Sequence, residues 1–137
     1  MNNHQIYVEQ ELKVMAYDID AMGIVSNIVY VRWFEDLRML LLDEHMPYNE
    51  IIALNISPIL MKTEVQYKTP LTIQSSPKGR CTISNMGGTK WEMEFKIYSG
   101  DIIHCTGKQV GCFYDLQTKR PTIAPEKLRN AYVEAVK

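Results

Sequence analysis

Residues 17–35 read YDIDAMGIVSNIVYVRWFE, and this stretch decides the fold because the hydrophobic period changes inside it. Ahead of it, Ile6, Val8, Leu12, Val14 and Ala16 alternate with Tyr7, Glu9, Glu11 and Lys13, the two-residue period of a half-buried strand over 6–16. Asp18, Asp20 and Gly23 then break the pattern and suit a turn. Beyond them, Val29, Tyr30, Trp33, Phe34, Leu37, Leu40 and Leu41 share one broad face at 100° per residue, with Arg32, Glu35, Asp36 and Asp43 opposite. This predicts a helix over 27–45, capped by Ser26 or Asn27 and stopped ahead of Pro47, which pushes its predecessor out of helical geometry.

Outward from that helix the chain reads as strands. Residues 47–58 are mixed and read as a loop with a helical turn at 50–54. Strands are expected over 59–68, with Ile59, Met61, Thr63, Val65 and Tyr67 on one side, and over 79–85 after a short run at 71–74. Strands over 89–98 and 102–114 follow, the last bent at Gly107 or Gly111. Gly87-Gly88 and Ser99-Gly100-Asp101 supply tight turns between them. A terminal helix starts at Pro125 with Leu128, Ala131, Tyr132 and Ala135 on one face. One strand, one long apolar helix and a run of four or so strands joined by short turns make an α+β domain. The expected form is a curved antiparallel sheet wrapped around the helix.

The chain of 137 residues has the size of one domain, taken as 1–137. A net charge of -1 argues against a protein that coats nucleic acid, which must neutralise phosphates. No run approaches the roughly 20 apolar residues of a membrane span, and Met1-Asn2-Asn3-His4-Gln5 lacks a basic region followed by an apolar one, so a cytoplasmic location is expected. Cys81, Cys105 and Cys112 form no CxxC pair, which fits buried reduced thiols and no zinc site. His4, His45 and His104 are scattered, and no histidine or further acid follows Asp18 and Asp20 at metal-ligand spacing, so no metal is expected.

Asp18 and Asp20 end a strand just before a helix. If the strand persists to Asp20 they point the same way, and if the turn has begun they diverge. A carboxylate there would stand beside the unpaired N–H groups of the first helical turn. The ordinary reading of such a D-x-D is a pair of turn formers.

The pattern Asp18-x-Asp20-x-x-Gly23-x-Val25-x-Asn27-x-x-Tyr30-x-x-Trp33-Phe34-Glu35 resembles the signature of hotdog-fold acyl-CoA thioesterases. That group includes 4-hydroxybenzoyl-CoA thioesterase and the Tol-Pal-associated acyl-CoA thioesterases, and the pattern is also similar to acyl-ACP thioesterases. The resemblance implies hydrolysis of an acyl-CoA thioester to free acid and CoA, without a cofactor beyond the CoA of the substrate. It implies Asp20 as general base or nucleophile and the backbone N–H of Asn27 as oxyanion donor. Asp18 is read as structural. Gly23 serves the turn or the approach of substrate, and Tyr30 either fills the core or lines the acyl site. Glu35 competes for the acid role because some hotdog thioesterases carry their carboxylate on the helix, but its spacing to Arg32 and Arg38 suits ion pairing. The chain departs from many Tol-Pal-type relatives in having Ser26-Asn27 where they have Tyr-His, and Gln74-Ser75-Ser76-Pro77 where they have Gly-Asp.

A phosphorylated carrier calls for cations, and Lys62 and Lys90 are the residues named for it, with Lys68 and Arg80 as further candidates. The resemblance also implies a homodimer or homotetramer with its sites at the subunit boundary, and exposed sheet edges give that pairing a physical reason. The alternatives are cleavage of an acyl group from a carrier protein, and a non-catalytic domain that binds an acyl thioester.

Overall fold

A computed structural model describes residues 5–136. The first residues of the chain, on which the reading of its start rests, lie outside the described ones. The elements run β1 (Tyr7–Glu11), a single 3-10 turn (Ala16–Asp18), α1 (Asn27–His45), α2 (Tyr48–Ala53), β2 (Ile56–Tyr67), β3 (Lys78–Gly87), β4 (Lys90–Ser99), β5 (Ile102–Asp115), β6 (Arg120–Thr122) and α3 (Glu126–Val136). The strands form one antiparallel sheet in the order β1-β3-β4-β5-β2, with β6 added to β5. Since β2 occupies one side of β5 through Asp115, β6 takes the other side where β4 has ended.

α1 spans the residues expected of it, and its apolar face fills the sheet. Val29, Tyr30, Trp33, Phe34, Leu37, Leu41 and Leu42 are buried, and Phe34, Leu37 and Leu41 are 0% exposed. Each such side chain contributes about 2 kcal/mol relative to exposure. The opposing layer is the set read from alternation, with Trp91, Met93, Phe95 and Ile97 buried on β4. Cys81 and Ile83 are buried on β3.

Four expectations needed correction. Strand β1 ends at Glu11, because Leu12 donates to the Pro77 carbonyl and the chain then tightens into the 3-10 turn, leaving Ala16 exposed. Residues 56–58 belong to β2, and the helical turn before them is α2. The single alternation read over 59–67 is split, because a register shift between Leu60 and Lys62 bulges the strand at Met61, which is 60% exposed. Residues 71–74 form a turn, with Ser75 N–H on the Thr72 carbonyl, and not a strand.

Gly107 and Gly111 lie within continuous β5, and their role is close approach. A Cβ on Gly107 would stand 2.3 Å from Cε2 and 2.5 Å from Cζ of Phe34. Phe34 has no room to retreat, since its ring stacks on Phe95 at 4.5 Å and is fully buried. Gly107→Ala is therefore expected to lower the unfolding free energy by about 1–3 kcal/mol through overpacking. Urea denaturation followed by tryptophan fluorescence at fixed protein concentration checks it, and an unshifted midpoint would contradict the packing described.

Candidate active site

The stretch between β1 and α1 folds as a small hairpin that returns on itself before the helix begins. Its inner tier is Asp18, 2% exposed. One carboxylate oxygen of Asp18 lies 2.6 Å from Nη2 of Arg32, the other accepts the Met15 N–H at 2.9 Å, and its backbone carbonyl accepts the Ser26 N–H at 2.9 Å. Asp18 thus ties three places in the chain together, the strand exit, the helix entry and the second turn of α1. Ile19 and Val25 pair above it as an isolated antiparallel bridge.

The outer tier is Asp20. Its N–H donates to the Ile24 carbonyl at 2.8 Å, and its carbonyl accepts the Gly23 N–H at 3.0 Å. Gly23 has φ +79, the left-handed residue that completes a three-residue hairpin loop. A Cβ there would meet nothing within 4 Å, so backbone conformation is what asks for glycine. The Asp20 side chain is exposed, and its Oδ1 accepts the Met22 N–H at 2.8 Å and the Ile24 N–H at 3.4 Å. Oδ2 has no partner among the described residues. The two aspartates therefore diverge, one buried and charge-paired, the other fixed by one oxygen with the second open to solvent.

The helix that follows begins with unsatisfied donors. Ser26 occupies the cap position but makes no side-chain cap, and only Val29 donates back to its carbonyl, at 3.0 Å. The N–H groups of Asn27 and Ile28 have no acceptor among the described residues. Such first-turn amides carry the positive end of the helix dipole. Their position is held from the far side of the sheet's end, where the Leu71 carbonyl accepts Val25 N–H at 2.9 Å and the Tyr67 hydroxyl donates to the Asn27 carbonyl at 3.1 Å. An exposed carboxylate with a free oxygen, on a hairpin that leads directly into bare helix amides, can activate a nucleophile or act as one, and the amides can stabilise the negative charge that forms.

The remaining candidates are spread over the helix and the sheet. Tyr30 is buried in the core, edge-on to Trp33 at 5.5 Å and to Tyr67 at 5.4 Å, and burial pushes its hydroxyl up to about 12. Lys62 is exposed on the opposite face of β2 from Tyr67, 3.7 Å from Glu64. Lys90 pairs with Cys112, seven residues along β5 from the Cys105 that pairs with Tyr67, a separation of about 23 Å at the strand rise. Lys68 directly follows Tyr67 and is exposed at the helix-start end of the sheet. Arg80 packs its guanidinium over the Tyr7 ring at 3.8 Å. Glu35 is exposed and 3.7 Å from Arg38, which also bonds Gln109, so the ion pair expected from spacing forms with Arg38 while Arg32 goes to Asp18.

The three cysteines are buried and in no disulfide, and desolvation raises the thiols of Cys81 and Cys105 to about 12, which leaves them poor nucleophiles. A trough of about 860 Å³ on the outer sheet face, between Arg80, Glu94, Lys96 and Lys108, contains neither Asp20 nor Asn27. Among the described residues no group of His, Cys, Asp and Glu is arranged to hold a metal. Sequence reasoning missed the parts played by Tyr67 and Leu71, since the contact from Tyr67 to Asn27 spans 40 positions and no local pattern marks it.

A family model described as the Thioesterase-like superfamily matches residues 14–132. The chain is 24% identical over 91 residues to a protein of Aquifex aeolicus (strain VF5) that carries only the provisional designation of an esterase, a match covering 66% of this chain and 71% of that one. Among solved structures it is similar to a DHNA-CoA thioesterase of Staphylococcus aureus, with TM-score 0.84 and 17% identity over 93% of this chain and 89% of that one. It is also similar to a gentisyl-coenzyme A thioesterase, with TM-score 0.81 and 21% identity over 91% and 99%. These likenesses establish the hotdog fold, a curved sheet around a central helix.

Asp18→Ala removes the charge that Arg32 faces and strands the half-buried Met15 N–H. It is expected to cost about 1–3 kcal/mol of stability. Equilibrium unfolding in urea measures it, and a cost below about 0.5 kcal/mol would show that Asp18 does not anchor the hairpin.

Proposed function

We propose, from the premise that this chain belongs to the thioesterase-like superfamily and is a thioester hydrolase, that it cleaves acyl-CoA to a free carboxylic acid and CoA. The observation that carries the reading is that Asp20, exposed with one free oxygen, sits on the hairpin that leads into α1, whose first residue Asn27 has an unpartnered N–H. In this mechanism the thioester carbonyl oxygen lies against the Asn27 N–H. Asp20 then either removes a proton from an attacking water or attacks the carbonyl carbon itself. Both routes pass through a tetrahedral oxyanion that the amide stabilises more than it does the neutral carbonyl, so the barrier falls. Collapse expels the CoA thiolate. In the nucleophilic route the remaining mixed anhydride is then opened by water, which regenerates the Asp20 carboxylate.

The reaction uses no cofactor of its own. Lys68, beside the helix start, is the basic residue best placed within one protomer for the phosphates of the carrier, while Lys62 and Lys90 would serve a substrate that reaches across to a second subunit. The twelve-residue β2 is paired on one side only among the described residues, and Ile59, Leu60 and Met61 are exposed along it. Pairing of two such edges supports a homodimer, and a tetramer built from dimers, with the helix start beside the joint. No described helix is long and apolar enough to cross a membrane, and the protein is assigned to the cytoplasm as part of this proposal.

The test is release of free thiol from acyl-CoAs of graded chain length and from the same acyl groups on carrier protein. Turnover on CoA substrates is expected, and Asp20→Asn should lower kcat by about 10²–10⁴. Asn27 is the first helical residue, where proline is well tolerated, and Ser26 already has the extended backbone that a following proline requires, with φ -63 and ψ 143. Asn27→Pro should therefore delete the donor without unfolding the helix and lower kcat by about 10²–10³, whereas Asn27→Ala spares the N–H and should stay within about threefold of wild type. Full turnover in Asp20→Asn together with loss in Glu35→Gln would move the acid to the helix. Preference for the carrier-protein substrates would overturn the choice of CoA.

A further inference from the structure

We propose that Tyr67 is a positioning residue for thioester cleavage, its hydroxyl fixing and polarising the first peptide unit of α1. The inference rests on the reading of the Asn27 N–H as oxyanion donor and assigns what holds that donor in place. Tyr67 is the last residue of β2, and its hydroxyl reaches 3.1 Å to the carbonyl of Asn27. Helix starts lack partners for their N–H groups and not for their carbonyls, which find donors one turn further on. A hydroxyl placed on the first carbonyl is therefore surplus to satisfying the helix. What it changes is the tilt and polarity of the peptide joining Asn27 to Ile28, whose N–H stands next to the proposed donor. Hydrogen bonds in sequence strengthen one another, so a donor on the carbonyl oxygen makes the Ile28 N–H a better donor in turn.

The surroundings of Tyr67 hold it to this one task. Its ring meets Tyr30 edge-on at 5.4 Å, and Tyr30 is itself buried one turn into α1, so the tyrosine is braced by the helix it restrains. Directly after it, the Lys68 and Thr69 N–H groups donate to the His104 carbonyl at 2.9 and 3.3 Å. The His104 ring bonds the Thr69 carbonyl and the Ser99 hydroxyl at 2.9 and 2.8 Å. Two residues further, Leu71 holds Val25. Residues 67–71 form a bracket that grips the helix entry at two points, and Tyr67 is the point next to the reacting atoms. Partial burial raises the phenol, so it remains a donor through neutral pH.

Tyr67→Phe keeps the ring against Tyr30 and removes only the hydroxyl, while Tyr67→Leu removes both. In the thiol-release assay Tyr67→Phe is expected to lower kcat about threefold to tenfold, with KM and the thermal midpoint unchanged. In ¹⁵N-labelled protein its Ile28 amide proton should move upfield. Tyr67→Leu should lose kcat and thermal stability together. Wild-type kcat in Tyr67→Phe beside an inactive Asp20→Asn would overturn this inference alone, as would an unmoved Ile28 resonance or a change confined to KM. Full turnover in both Asp20→Asn and Asn27→Pro would remove the active-site reading and this inference with it.

Discussion

The closeness of α1 to its sheet is the constraint on which the molecule depends. Phe34 lies over Gly107 at a distance that admits no side chain, and Leu37 approaches Gly79 in the same way, 2.8 Å from where a Cβ would be. Because the sheet gives way at these positions, aromatic and leucine side chains of the helix reach the inner face without a gap. Dense packing of that kind transmits small displacements instead of absorbing them. The first turn of α1 is consequently set by where its middle is seated, and the unpartnered amides there inherit their placement from the core.

The hairpin over 18–26 converts that seat into a site. Asp18, with its charge satisfied by Arg32 and its second oxygen by Met15, faces inward, while two residues later Asp20 faces water. The same residue type performs opposite duties because the chain reverses between them. A buried carboxylate left without partners would be costly, and the bonds from Arg32 and from the Met15 N–H, one to each carboxylate oxygen, explain why Asp18 tolerates 2% exposure. Asp20 needs no such compensation and keeps one oxygen open to solvent.

Much of this was legible in the residues themselves. The shift from a two-residue to a 3.6-residue period placed α1 at its observed limits, and alternation on β4 gave the inner face of the sheet correctly. These signals are local, since each side chain reports its own burial. The turn at Gly23 was legible because spacing within one segment decided it, whereas the divergence of the two aspartates was left open, because it depends on where β1 ends. The β2 bulge at Met61, the short β6 and the reach of Tyr67 to Asn27 were not, because each is fixed by a partner distant in the chain. Arg32 shows the same limit. Its periodicity correctly put it on the polar side of the helix, but only the folded hairpin brings it to Asp18 rather than Glu35.

The strand order carries a consequence for how the protein is made. β1 has no neighbour until β3 exists, and β2 has none until β5 does, so every pairing of the first half of the chain waits for the second. A ribosome finishes α1 about 70 residues before it finishes β5, which at ordinary elongation rates is on the order of several seconds. Through the first part of that interval the apolar face of α1 has no sheet to cover it, and the cover stays partial until β5 joins the two halves. Nascent chains of this design depend on holding chaperones or on collapse into provisional contacts, and the aromatic residues that later seal the core are the ones most exposed to capture on the way.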